Sequence, residues 1–251
     1  MGLKINTNIT GLRTTRILRG STLALNRSLE RLSSGLRVNR AADDAAGLAI
    51  AEGFRSGSRA AQVAQRNAQD GIGLVQTADG PLSATINILQ RICELAVQSA
   101  NGTFSDIPNR ADLDLEVQQL LAQIDDIATF TEFNGVFLLA VATAINFQVG
   151  GSDPTFITLT FGAVMDTTGL GINGIDITTE ANARALLDNL TGGINFTLGL
   201  VNTQRSTLGA IQNRLEFTIN SLQIQEENAV ASESAIRDAD IARETVMFTR
   251  N

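Results

Sequence analysis

Six apolar residues fall seven apart toward the end of this chain: Val201, Leu208, Leu215, Leu222, Ala229 and Ile236. A repeat of seven returns a side chain to nearly the same line of an α-helix every two turns, which writes a long apolar seam. Ile211 and Ile219 widen it. Such a seam needs an equally long partner, and only the tract 44–100 qualifies. There Ile72, Val75, Leu82, Ile86, Leu89, Cys93 and Ala96 step by three and four, with one gap at Asp79. At about 1.5 Å per residue this tract outruns the diameter of a small domain, so it predicts a rod. The simplest closure is an antiparallel pair, with Leu89, Leu208, Leu215 and Leu222 in the seam. Two breaks are expected: one at Asp79-Gly80-Pro81, because proline starts or kinks a helix better than it sits inside one, and one at Gly192-Gly193, within a last helical tract of 180–237.

The remaining chain divides by pattern. Residues 4–33 read as a helix carrying Leu18, Leu25, Leu29 and Leu32. Leu18, Leu25 and Leu32 fall seven apart, which is coiled-coil spacing; because the stripe is short and crowded by Arg13, Arg16 and Arg19, spacing alone favours an ordinary amphipathic helix packed on its own domain over that reading. Ser33-Ser34-Gly35 stops it, glycine taking the left-handed position that ends many helices. Asp43 and Asp44 precede the next helix, where short carboxylates can accept its free N–H groups. A third helix is predicted over 110–130, with Asp125-Asp126 on a solvated face, and turns at Asn101-Gly102 and Asn134-Gly135. From 136 to 178, Phe156, Ile157, Leu159 and Phe161 among threonines and glycines suit a small β-hairpin subdomain. The fold class predicted is mainly α: a long antiparallel coiled-coil-like helical rod with one β-hairpin subdomain.

Composition narrows function. A net charge of −7 argues against nucleic acid. No apolar run is long enough to span a membrane, and the N-terminus lacks the apolar core of a secretory signal. These features alone read as cytosolic. With no histidine, the Ser/His/Asp triad, the Cys/His pair and the HExxH zinc site are all excluded. The single cysteine forbids an internal disulfide. No phosphate-cradling glycine motif occurs, so no cofactor or metal is expected and the chain does not read as an enzyme.

Three blocks carry a resemblance: ERLSSGLRVNRAADDAAGLAIAEGFRS, LQRICELAVQSANG (Leu89 to Gly102) and SAIRDADIARETVMFTRN (Ser234 to Asn251). In wording and order they resemble bacterial flagellin, the subunit of the flagellar filament. The resemblance implies a structural, extracellular protein that leaves through the flagellum's own export channel without a cleaved signal. It implies a helical homo-oligomer as the working form. Further implied partners are the export apparatus, an export chaperone, and the filament cap and hook-junction proteins. The segment 1–43 would be an inner-tube helix and linker, 44–135 and 179–237 the rod, 136–178 a minimal outer hairpin, and 238–251 the start of the other inner-tube segment. The family continues about one helix further, so the chain is expected to be cut short.

The resemblance also assigns residues. Gly35, Arg37, Arg40 and Asp43 would form the linker between tube layers. Gln90, Arg91, Leu95 and Glu116 match positions that the vertebrate innate receptor for flagellin grips and that pack on a neighbouring subunit. A helical wheel at about 100° per residue puts Leu95 and Ile88 away from the seam, so Leu95 is expected at the surface, with Cys93 at the stripe's edge. Cys93 and Leu120 depart from the family's charged and basic residues there. The alternatives are a hook–filament junction protein and a non-polymerising helical adhesin or receptor ligand.

Overall fold

The structure is a computed structural model that describes residues 8–103, 105–151, 155–188 and 193–250. Its helices are α1 (Ile9–Ser34), α2 (Ala45–Ser99), α3 (Ala111–Phe130), α4 (Glu180–Leu187), α5 (Ile194–Arg237) and α6 (Ile241–Arg250). A short π-helical turn, Asp106–Arg110, precedes α3. Strands β1 (Glu132–Phe133) and β2 (Val136–Phe137) form one antiparallel ladder; β3 (Ala144–Gln148) and β4 (Phe156–Thr160) form another. The protein is mainly α, with long helices and small hairpins. It divides into two compact units, one from the residues up to Gln62 together with those from Gln223 on, the other Val63–Leu222.

The second unit holds most of the buried core. Val201, Leu208, Leu215 and Leu222 of α5 are buried there, as are Leu74, Val75, Leu82 and Leu89 of α2. The two helices run antiparallel: Leu215 lies beside Gly71, and Arg205 grips Asp79 eight residues further along α2. The Arg205 guanidinium donates twice to Asp79, at 2.7 and 3.0 Å. The gap in the α2 stripe is thus filled by an ion pair. The hairpin β3–β4 turns Phe147, Ile157 and Leu159 inward and leaves Phe156 exposed, the two-residue alternation of a half-buried sheet.

Three expectations need correction. The break at Asp79-Gly80-Pro81 does not occur; α2 is continuous over 55 residues with Pro81 inside it. Proline costs about 3 kcal/mol in a helix interior, but Ala78 and Leu82 on either side are fully buried. Burying a leucine contributes about 1.5–3 kcal/mol, so packing holds the helix through the defect. The tract 180–237, by contrast, divides where expected, into α4 and α5, with Gly193 between them and Gly192 outside the described residues. Helix α1 packs its stripe only in part: Leu25 and Leu32 are half-buried, but Leu18 is 66% exposed, Leu29 is 45% exposed, and only Ser28 of the whole helix is buried. Asp125 is not a solvated residue. Its carboxylate accepts the Thr167 N–H at 2.8 Å and the Thr167 hydroxyl at 3.0 Å. The loop following β4 is tied to α3 in this way, and again where Asp114 accepts the Ile177 N–H at 2.9 Å and Gln118 donates to the Ile175 carbonyl at 2.8 Å.

Candidate functional site

Three surfaces carry the residues singled out by sequence. The first is the segment after α1. Gly35 takes φ +71° and caps the helix, its N–H donating to the Arg31 carbonyl at 2.8 Å. The chain then lies antiparallel to the end of α5. Arg37 N–H donates to the Arg237 carbonyl at 2.7 Å, and Ala239 N–H donates to the Gly35 carbonyl at 2.9 Å. Leu36 pairs with Asp238 as an isolated bridge. The Arg37 guanidinium reaches the Ile236 carbonyl. Arg40 pairs with Glu30 at 2.8 Å, and Asn39 donates to the same carboxylate. Val38 is buried beneath this clasp. Of the two aspartates, only Asp44 caps α2, accepting the Gly47 N–H at 2.8 Å; Asp43 instead accepts the Arg40 N–H and closes the turn before it.

Sequence reasoning found Gly35, Arg37, Arg40 and Asp43 here but not their partners. Arg237 ties the clasp together, its carbonyl held by the opposing chain and its guanidinium paired with Glu52 at 3.1 Å and Glu233 at 3.6 Å. No local pattern could signal a contact across some 200 residues of chain.

The second surface is the pair of helices built around that clasp. Arg31 of α1 pairs with Glu244 of α6 at 3.8 Å, and between the helices lies a cleft of about 550 Å³ lined by Ala24, Arg27, Ser28, Arg243 and Met247 among others. Large apolar side chains remain outside. Ile9 is 64% exposed and Leu12 67%. Helix α6 buries no residue at all, although its apolar and charged residues segregate to different sides. A globular protein does not normally leave so many large aliphatic side chains of one helix wet, and exposure on this scale points to a docking surface.

The third surface spans α2 and α3. Gln90, Arg91 and Glu116 are exposed together. Arg91 donates to Glu116 at 2.8 Å and to Glu94 at 3.0 Å. The Glu116 hydrogen bond, with Glu94 adding to it, holds the guanidinium above its ordinary pKa. Leu95 is not part of this surface: it is 0% exposed and belongs to the core, so its expected role in an exposed contact is withdrawn. The wheel assumed one buried side, whereas α2 is covered on two. Asp79 faces α5 and Arg91 faces α3, and at about 100° per residue these directions differ by roughly a third of a turn. Val97 is the exposed aliphatic residue here, beside an open hollow of about 520 Å³ with Gln90, half-buried Cys93, Glu94 and Leu198. Among the described residues no cluster of His, Cys, Asp and Glu could hold a metal ion, and no helix is long and apolar enough to cross a membrane.

Comparison with known proteins assigns this architecture. A family model for the bacterial flagellin N-terminal helical region matches residues 5–144, and one for the C-terminal helical region matches residues 192–251. The flagellar filament 31.3 kDa core protein of Treponema maltophilum is 40% identical, aligned over 98% of this chain and 90% of that protein. Flagellin of Bacillus subtilis (strain 168) is 40% identical over 99% of this chain and 91% of its own length. The crystal structure of Bacillus cereus flagellin superposes with a TM-score of 0.53 at 34% identity, covering 62% of this chain and 88% of that one. The matched regions take in both helical ends and the clasp that joins them, and on that evidence this chain belongs to the bacterial flagellin family.

Proposed function

We propose that the protein is the structural subunit of a bacterial flagellar filament, polymerising helically with copies of itself and acting outside the cell as part of a propeller. The observation that carries this reading is the bare apolar surface of α1 and α6. In a helical polymer each copy offers different faces to its neighbours, and contacts that do not close on themselves grow without limit. The exposed leucines of α1 are then buried by neighbouring copies. Gly35 and Arg37, clasped to the end of α5, with Arg40 and Asp43 closing the turn that follows, then serve as the linker between tube layers. Leu89, Leu208, Leu215 and Leu222 stiffen the rod. The relatives are filament core proteins by name, and the function is structural rather than enzymatic.

The test is seeded growth. Monomer is added to sheared filament fragments and elongation is followed by sedimentation. Leu18→Asp alters a side chain that the monomer does not bury, so circular dichroism of the monomer should be unchanged while elongation is lost. Growth at the native rate would overturn the proposal.

The same reading takes the export apparatus and an export chaperone as partners before assembly, with export needing no cleaved signal, and the cap and hook-junction proteins as partners at the filament's ends. It also takes Gln90, Arg91 and Glu116, without Leu95, as a surface for the vertebrate innate receptor for flagellin. Arg91→Ala monomer should then activate that receptor more weakly than the parent. Equal activation would remove the receptor from this list and leave filament assembly untouched.

A further inference from the structure

The chain contains three Asn–Gly pairs: Asn101-Gly102, Asn134-Gly135 and Asn173-Gly174. Glycine has no Cβ to shield its amide nitrogen, so that nitrogen can attack the carboxamide carbon of the asparagine before it. At Asn173 the bond formed would be Gly174 N to Asn173 Cγ. The bond broken is Cγ–Nδ2, and ammonia leaves with the proton given up by the glycine amide. The cyclic imide then takes up one water at either carbonyl and opens to aspartate or isoaspartate. Water is the only co-reactant.

All three asparagines are exposed, so accessibility does not rank them. Geometry does. Asn134 and Gly135 sit at φ +51° and +77°, the two-residue turn of the β1–β2 hairpin, and the ladder together with the Leu138 N–H on the Thr131 carbonyl (3.0 Å) holds them there. The side chain cannot be brought over the glycine nitrogen without opening that turn. Asn101 is held at both ends, its carboxamide oxygen accepting the Thr103 N–H at 3.2 Å and its carbonyl accepting the Arg110 guanidinium at 3.0 Å. At Asn173 the glycine, Gly174, also takes a positive φ (+71°), but no strand ladder closes around the pair. Among the described residues its carboxamide and the Gly174 N–H have no hydrogen-bond partner, and Asn173 itself is not in the left-handed region.

We infer that Asn173 is a self-modification site, converting to aspartate and isoaspartate in the folded protein ahead of Asn101 and Asn134. The product matters to this loop. Isoaspartate lengthens the main chain by one carbon between Ile172, which is buried, and Ile175, whose carbonyl is held by Gln118. Both anchors cannot keep their places. Either product also adds a negative charge close in sequence to Asp176.

The test keeps the full folded chain in warm, mildly alkaline buffer and samples it over days. Peptides around each asparagine are quantified by mass, one mass unit being gained per event, and by isoaspartate content. The Asn173 peptide should convert several-fold faster than the other two. Asn173→Gln should abolish the leading signal, and prior unfolding in urea should bring the three rates together. Faster conversion at Asn101 or Asn134 in the folded chain, or equal rates there, would overturn the assignment.

Discussion

Replacing Asp125 by alanine offers the sharpest test of how the outer loop is held. In the native chain one half-buried carboxylate accepts both the N–H and the hydroxyl of Thr167, at 2.8 and 3.0 Å, and Thr167 is buried. Hydrogen bonds to a charged group contribute roughly 1.5–3 kcal/mol each, and a buried donor left without an acceptor costs about 1–3 kcal/mol. The two bonds share one carboxylate and the hydroxyl can rotate, so the losses do not simply add. Asp125→Ala should therefore cost about 2–4 kcal/mol. For a chain of this size that lowers the melting temperature by roughly 5–15 °C. Asp125→Asn keeps one acceptor and loses the charge, for about 1–2 kcal/mol. Thermal melts by circular dichroism give the ranking, and hydrogen exchange localises it: amides of 165–177 should lose protection first in Asp125→Ala. A melting temperature unchanged within error, or an asparagine variant as damaged as the alanine one, would show that Thr167 is held by its apolar neighbours instead.

Two glycines of α2 should respond oppositely to alanine. A Cβ at Gly71 would stand 3.1 Å from the Phe147 ring and 3.2 Å from Leu215, so Gly71→Ala overpacks the core and should destabilise by about 1–3 kcal/mol. At Gly53 nothing lies within 4 Å, and Gly53→Ala should stabilise the monomer by roughly 1 kcal/mol; urea titrations giving both the same sign would refute the packing seen at Gly71. The Asp176 carboxyl lies below its ordinary pKa chiefly because the Asn182 amide donates to it, with the Thr178 hydroxyl and N–H adding. A depressed folded-state pKa stabilises above the ordinary carboxyl value, and that contribution is lost as pH falls through the folded one. Asn182→Ala should raise the Asp176 carboxyl in an NMR titration and narrow this acid window; an unmoved titration would refute the linkage.

How much of this could be read beforehand varied with the range of the interaction. Period and punctuation are local, and they located α3, the Gly35 stop, the Asp44 cap and the hairpin strands to within a few residues. The seam of α5 was legible because seven-residue spacing survives whatever covers it. What failed was whatever depended on a second partner. Leu95 lies off the seam that faces α5, so one-sided periodicity sends it to solvent, yet it is fully buried in the core. The backbone preference of Pro81 predicts a break, and packing on both sides overrides that preference. Asp125 reads as solvated because nothing near it in sequence announces Thr167. Leu18 and Leu29 failed in the opposite sense: the pattern of a packed helix is present, but nothing among the described residues covers them.

Charge adds an argument about assembly that apolar surface alone does not supply. The unit carrying α1 and α6 has 13 basic and 10 acidic side chains, whereas Val63–Leu222 has 6 basic and 16 acidic. Like units of neighbouring copies in a filament would repel through that acidic excess, while the aliphatic faces of α1 and α6 attract whatever the salt. The Debye length falls from about 10 Å at 0.1 M to about 3 Å at 1 M salt, so added salt should weaken the repulsion and leave apolar burial in place. Elongation from seeds should therefore quicken as sodium chloride rises through this range, and more steeply for parent than for a variant in which exposed Asp126 and Glu132 are replaced by Asn and Gln. Slower elongation at higher salt would mean that attraction between the basic unit of one copy and the acidic unit of the next outweighs repulsion between like units. The exposed leucines would then no longer be the main source of cohesion.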